Sequence, residues 1–409
     1  MKKTISFFLL FTCLLFLLTG CYDAKPLETL SYVVAIGLDK GTHNLLRLSL
    51  QFASPNGSSE GGNSSQFSGT TVTTVECNSI ESGINLINSY ISNQINLSHT
   101  KVIVMSEALA VEGVSEYIST FINNVEVRPD CDVIISRCSA EDFLNNSQPT
   151  LETLSARFYE QIVTSSQYTG FTDNISLADF YCAYQSNVCQ AVAILGGVNT
   201  TNHDHNVIDP TIPYVEIDSS YKAGQTPIQD KTNLEYIGLA VFRDDKLVGE
   251  LDGFETMCHL ICSNKFGSSV ISIPNPFEEN GIIDLSISKK NATKQESTLV
   301  NGSPYITCDI ALDATVLSMG NEIDVSTNEN IAIISEYANS YLEEKILDYL
   351  YKTAKQLHAD IDCFGKHLYA DYLTIEEFEK IGWLDIYKDS YFDVHVEVTV
   401  KSSNLLIKD

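Results

Sequence analysis

The chain has 409 residues, 25 basic and 53 acidic, for a formal charge of −28 at pH 7. Nucleic acid, itself a polyanion, is excluded as a partner. An apolar content of 44% excludes a disordered chain, and the length suffices for two or three cores.

The first element is an export signal. Lys2 and Lys3 precede an apolar run of 14 residues, Ile5 to Leu18, too short to cross ~30 Å of hydrocarbon as a helix. The run ends in Leu18-Thr19-Gly20-Cys21, which resembles the lipobox of bacterial lipoproteins. Small residues admit the chain to a narrow peptidase site, and a thiol can accept a diacylglyceryl group as a thioether. Residues 1–20 are therefore expected to be cleaved, leaving Cys21 as the lipidated first residue; two acyl chains make a stable anchor. The mature chain carries 23 basic against 53 acidic residues, a charge of −30. An anionic lipid surface repels that charge, so the body is expected to stand off the membrane on its tether.

The expected folded part opens with a hairpin, in which Val34, Ile36 and Leu38 alternate, "DKG" turns, and Leu46, Leu48, Leu50 and Phe52 alternate back. A Gly/Ser/Asn-rich loop follows, "SPNGSSEGGNSSQFSGT". The strand "TTVTTVEC" leads to a helix capped by Asn78 with Glu81 in the capping-box position. Then come the strand "TKVIVMS", a helix over about 107–123, the strand "CDVIISR" and a short helix capped by Ser139. Helices "ARFYEQIVTSS" and "SLADFYCAYQS" and the strand "QAVAILGGV" complete an α/β domain.

A polar break, "NTTNHDHNVIDPT", marks a domain boundary; its His203, Asp204 and His205 read as solvated linker rather than metal ligands. Beyond it lie the hairpin "IGLAVFRDDKLVGEL", the helix "GFETMCHLICSNK", further strands, and a long alternating strand "PYITCDIALDATVLSM". From Asn328, apolar residues at Ile334, Tyr337, Tyr341, Leu342, Ile346, Leu350, Ala354, Leu357 and Ile361 predict about seven helical turns, with Glu343 and Glu344 solvated. "YFDVHVEVTV" is a closing strand. The fold class is mixed α/β and α+β, divided at 21–200, 213–285 and 286–409.

Eleven cysteines suggest a disulfide framework, but Cys13 leaves with the signal and Cys21 carries lipid. The other nine, an odd number set mostly in apolar runs, are expected to be mostly free and buried. Cys258 and Cys262 in "CHLIC" read as a core-facing pair, with His259 pointing elsewhere, rather than a zinc site. The weak binding candidates are His99 and Lys101 in "SHTK", which have the charge to hold a carboxylate but equally close a turn, and Arg128 in "VRPD", which can pair with a nearby acid. No phosphate loop, nucleophile elbow or metalloprotease signature is present in the sequence, so no catalytic residue, metal or cofactor is assigned.

Four stretches together resemble the Ger(x)C family, the lipoprotein C subunits of spore germinant receptors: "LLTGCYDAKPLETLSYVVAIGLDKG", "SHTKVIVMSEALAVEGVSEYISTFINNVEVRPD", "IGLAVFRDDKLVGELDGFET", and "DCFGKHLYADY" followed by Trp383 and the closing strand. They occur in the family's order along nearly the whole mature chain. Tyr22 stands where the family usually has Trp, and Ala24, Lys25 and Pro26 depart from its usual residues. The resemblance implies three mixed α/β domains, a place on the outer face of the spore's inner membrane, membership of a complex with an A subunit and a transporter-like B subunit, and no catalysis. The other class to weigh is a lipid-anchored solute-binding protein that delivers a small ligand to a permease; it calls for two matched lobes, and the halves here read differently.

Overall fold

The structure is a computed structural model; it describes residues 29–53, 70–147, 155–199, 220–228, 234–278, 281–319 and 327–401, with a few isolated positions before 29. The lipobox with Cys21, the Gly/Ser/Asn-rich loop and His203, Asp204 and His205 lie outside the described residues.

The first sheet is built on β1 (Leu30–Lys40), with β2 (Leu46–Ala53) and β3 (Thr70–Cys77) added antiparallel on one side. On its other side β5 (Val102–Ser106), β6 (Asp132–Ser136) and β7 (Val192–Val198) follow in parallel. Every residue of β5 and β6 is buried, as continuous apolar runs require when both faces of a parallel sheet are covered. A short β4 (Gln94–Asn96), not foreseen from the sequence, pairs in parallel with Leu30, Ser31 and Tyr32 at the start of β1.

The crossover helices are α1 (Ile80–Tyr90), α2 (Glu107–Glu112), α3 (Ser115–Asn123), α4 (Ala140–Asn146), α5 (Ser155–Thr169) and α6 (Leu177–Tyr184). Two of them correct the sequence reading. α1 is capped by Ser79 in a reciprocal box with Ser82, one residue beyond the expected Asn78 cap. The helix expected over 107–123 is two helices, because Gly113 has φ +133° and the chain there docks on a distant turn. Val114 N–H donates to the Asp245 carbonyl at 2.9 Å and the Ser115 hydroxyl to Asp245 Oδ2 at 2.8 Å.

β7 does not end this sheet. β8 (Leu234–Arg243) pairs antiparallel with it and β9 (Lys246–Leu251) with β8, giving the order β3-β2-β1-β5-β6-β7-β8-β9. The segment assigned to a middle domain, 213–285, therefore forms no sheet of its own. Its first hairpin extends the first sheet, and β10 (Ser268–Pro274) opens the second. The physical reason is that β7 would otherwise be left as an apolar border strand, and the β8 pattern is apolar enough to cover it.

The second sheet contains β10, β11 (Ile282–Lys289), β12 (Lys294–Val300), β13 (Ser303–Met319) and β14 (Tyr391–Lys401). The long β13 takes β12 along Ser303–Asp309, β11 along Leu312–Met319, and β14 along Tyr305–Thr315. Since β14 overlaps both of the others and a strand has two sides, β11 and β12 share the opposite side. Alternate residues of β14, Phe392 through Val400, are buried, the period-2 pattern of a sheet with one covered face.

Between the sheets runs α7 (Gly253–Cys262), every residue of which except Glu255 is buried. The long helix α8 (Asn328–Tyr351) buries Ile334, Ala338, Leu342, Ile346, Tyr349 and Leu350. It stops short of the expected seven turns: residues 352–357 form a wider π turn, closed by His358 with φ +53°, so Ile361 is not on the helix. Lys352 Nζ is held there by Glu255 at 2.6 Å and the Glu250 carbonyl at 3.0 Å, and Thr353 Oγ1 bonds the Leu350 carbonyl at 2.8 Å. These pulls open the turn locally. Glu343 is not simply solvated: with Asn339 it accepts from β14, at 3.0 Å from Val396 N–H and 2.7 Å from Val398 N–H respectively.

Candidate functional site

The three sequence candidates do not form one pocket. The His99 ring stacks on Tyr32, centroids 4.4 Å apart, beside the start of β1. Lys101 pairs with Glu160, and its backbone N–H donates to the Val34 carbonyl at 2.8 Å. Arg128 is exposed and bonded through Nε to Asp130 Oδ1 at 3.0 Å. Lys101 is matched by Glu160 and Arg128 by Asp130, and His99 and Lys101 sit at the turn into β5.

The more developed site is the junction where the two sheets meet. It is made by three segments of remote sequence: the loop before β7, the body of α7, and residues 359–367 after the π turn. Gln190 N–H donates to the Asp360 carbonyl at 2.7 Å, and Gln190 Oε1 accepts from Asp244 N–H at 2.6 Å, so one residue ties the loop into β7 to both the β8–β9 turn and the 359–367 segment. Beside it a disulfide joins Cys189 to Cys363, 174 residues apart in sequence. This corrects the expectation of free thiols for that pair. Cys77, Cys131, Cys138, Cys182, Cys258, Cys262 and Cys308 are unpaired; Cys138 is half-buried and Cys182 exposed.

Under the disulfide, polar groups are paired in apolar surroundings. His259 Nδ1 lies 2.9 Å from Asp362 Oδ1, and the Tyr349 hydroxyl donates to Asp362 Oδ2 at 2.7 Å. His259 and Asp362 are both buried. A buried carboxyl is tolerated when its oxygens find hydrogen-bond partners, and Tyr349 supplies one to Oδ2. Two residues back, Asp360 accepts from Phe364 N–H at 3.1 Å, Gly365 N–H at 2.9 Å and the Trp383 indole N–H at 2.8 Å. Burial nonetheless pushes the Asp360 carboxyl up to about 7. The same cause lifts the Tyr349 and Tyr387 hydroxyls well above the ordinary phenol range.

A cleft of about 550 Å³ opens over this network, lined among others by Asp179, Cys182, Gln190, His259, Lys265 and His367. Lys265, in its lining, donates to Asp173 at 2.6 Å. His367 Nε2 lies 2.9 Å from Gln295 Oε1, and its pKa is lowered by burial and by neighbouring Lys366. Two buried thiols beside it, Cys258 and Cys262, are poor nucleophiles. Burial pushes Cys258 well above the usual thiol range, and the Cys308 contact followed by burial does the same to Cys262. Among the described residues no cluster of three or more metal-ligating side chains occurs. The expected core-facing position of Cys258 and Cys262 is what the structure has, but His259 is buried with them rather than turned away.

Sequence reasoning missed Gln190, Asp360, Asp362 and Trp383. The available signal was "HADIDCFG", two acids inside an apolar segment directly after a helix, where burial forces acids to find donors.

Two family models match the chain in order. The spore germination protein N-terminal domain matches residues 23–196, and the spore germination B3/GerAC-like C-terminal domain matches residues 237–404. The second begins inside β8, so it includes strands that complete the first sheet. At 23% identity the chain is similar to YfkR of Bacillus subtilis (strain 168), whose name assigns it to spore germination provisionally, over 100% of this chain and 99% of that protein. It is also 23% identical to spore germination protein KC of the same organism, over 95% of this chain and 93% of that one. The crystal structure of the GerBC protein is similar in fold, with a TM-score of 0.54 at 16% identity, covering 89% of this chain and 96% of that one.

Proposed function

Since the chain belongs to the GerAC family of spore germination proteins, we propose that it is the lipid-anchored, non-catalytic C subunit of a germinant receptor, standing on the outer face of the spore's inner membrane with A and B membrane subunits and needed for their assembly and response. The observation that carries this reading is the run of both family regions, in order, behind the lipobox ending in Cys21. No helix among the described residues is long and apolar enough to cross a membrane, so the covalent diacylglycerol on Cys21 is the anchor in this reading. Tethering raises the local concentration of partners, so contacts too weak for free solution are occupied at the membrane. A non-catalytic role is supported by a junction whose histidine is committed to Asp362 and whose buried thiols are held protonated.

The test is fractionation and germination together. Cys21→Ala should leave a folded chain that is lost from the membrane fraction and fails to support germinant response. The same domain behind an unrelated lipoprotein signal should restore both. Normal response from the untethered chain would sink the proposal.

The cleft of about 550 Å³ supports a second reading, a carrier that hands a small solute to a permease. Its sign would be a rise in melting temperature as the solute is titrated; a flat titration across nutrient germinants leaves the assembly role.

A further inference from the structure

In a chain where 19% of residues are charged, the 19 residues from Ser82 to Thr100 contain no Asp, Glu, Lys or Arg. They form most of α1, the short β4 and the turn into β5. β4 pairs with Leu30, Ser31 and Tyr32, so this uncharged stretch lies against the very start of β1, where the chain from Cys21 joins the fold. Neighbouring contacts draw in two more residues. Leu97 N–H donates to Glu126 at 3.1 Å, which places Val125 beside β4, and His99 stacks on Tyr32.

Ile87, Ile95 and Leu97 of this stretch face the core, while three other side chains of the surface point outward. Tyr90 is 83% exposed, Leu86, one turn before it on α1, is 49% exposed, and Val125 is fully exposed. At its margin Lys101 pairs with Glu160 and Arg128 with Asp130, while the Glu126 and Glu81 carboxylates accept from Leu97 N–H and Asn124 Nδ2. On a molecule of charge −28 this is a patch without the general repulsion from an anionic surface. Eight residues separate Cys21 from Leu30, so the lipidated sulfur can stand no further than about 30 Å from the start of β1. Tyrosine at such a place has an apolar ring and a polar tip, the combination favoured at the level of lipid headgroups.

We propose that this uncharged surface, with Tyr90, Leu86 and Val125 outermost, rests on the headgroup layer of the bilayer that holds Cys21. The inference rests on the lipid-anchored reading and replaces the expectation that the body stands clear of the membrane. The occupant is lipid because the patch lies beside the point where the anchored segment joins the fold, and because its Asn, Ser, Gln and Tyr side chains suit headgroups while its few apolar tips need only shallow burial. The contact can be weak, since the anchor supplies the local concentration.

The test uses the lipidated full chain on phosphatidylcholine vesicles carrying a fraction of lipid brominated near the headgroup. Tryptophan is introduced in turn at Tyr90→Trp, Val125→Trp and Leu373→Trp, the last a 94% exposed position in the unit of the second sheet. The only native tryptophan, Trp383, is buried and serves as the common background. The expected result is quenching at least twofold greater for the Tyr90→Trp and Val125→Trp proteins than for Leu373→Trp. Protein that floats with the vesicles while all three are quenched alike overturns the docking and leaves the anchor standing. Protein that does not float, like a Cys21→Ala control, overturns the anchor and the docking with it.

Discussion

Trp383 has two duties that no other side chain could share. It fills the core beneath the junction, and its indole N–H is one of three donors on the buried Asp360 carboxylate. Trp383→Phe should keep most of the packing but remove that donor, destabilising the chain by about 1–3 kcal/mol; urea unfolding would read it as a lower midpoint with little change in slope. Gly365 faces the same indole so closely that an added Cβ would meet Nε1 at 2.5 Å, so Gly365→Ala should disturb the same bond. Acid groups set the pH response. Burial raises the Asp360 and Asp132 carboxyls to about 7 and Asp252 to about 6, against an ordinary aspartate value of 3.8. Between about pH 4 and 7 the folded chain therefore binds more protons than the unfolded chain, so these groups make stability fall as pH rises through that window and level off above it. Asp132→Asn, which also relieves repulsion from Asp130 and Asp179, should flatten the fall in melting temperature; identical slopes for both proteins would refute the assignment.

At the scale of elements, what was legible in the sequence was whatever local periodicity writes. The alternation of Phe392 through Val400 gave β14, and "PYITCDIALDATVLSM" gave β13 with nearly its full length. The cap at Ser139 marks α4 by a residue that bonds within three positions. The failures share a cause of the opposite kind. The break in the 107–123 helix depends on Asp245, the π turn on Glu255 and Tyr387, and the Cys189–Cys363 bond on a partner 174 residues away. None of these partners can be found by reading neighbours. Gly113 is a sequence-visible hint, since its φ of +133° is open to few other residues, and an added Cβ would meet Asp245 Oδ2 at 2.7 Å. Gly113→Ala should cost more than about 1 kcal/mol and speed proteolysis near the α2–α3 joint. A melt indistinguishable from the parent chain would show that the joint yields freely.

For the whole molecule, the question is what makes two unlike sheets behave as one body. The first family region supplies most of one sheet, but the second supplies β8 and β9 to it, so the chain cannot be cut at residue 200 without exposing β7. The polar break at 199–211 does fall between the two family regions, yet the strands on either side of it share one sheet, because a linker says nothing about which sheet the chain rejoins. The Cys189–Cys363 link and the Gln190 bond to Asp360 then hold the completed first sheet to the loop under the second. Removing the link by Cys363→Ser should lower stability by about 2–5 kcal/mol, and the loss should appear as two separated unfolding steps in calorimetry. A single transition at an unchanged temperature would mean that the β8–β9 crossing alone suffices. The candidate site follows the same logic, since its residues come from three distant segments and only "HADIDCFG" announced itself.

The Asn339 and Glu343 side chains, acceptors from Val398 and Val396, decide how this chain treats its own copies. A border strand with open N–H groups is a template on which a neighbour can grow, and proteins held side by side would meet such templates constantly. Here two side chains of α8 already occupy the outward N–H groups of Val396 and Val398 in the middle of β14, which hinders sheet-to-sheet growth through that stretch of the border. The double change Asn339→Ala with Glu343→Ala should leave the monomer folded but make its sedimentation depend on concentration, while the parent chain's does not. A finished border keeps neighbours as neighbours, free to pair by surface and shape instead of fusing into fibres.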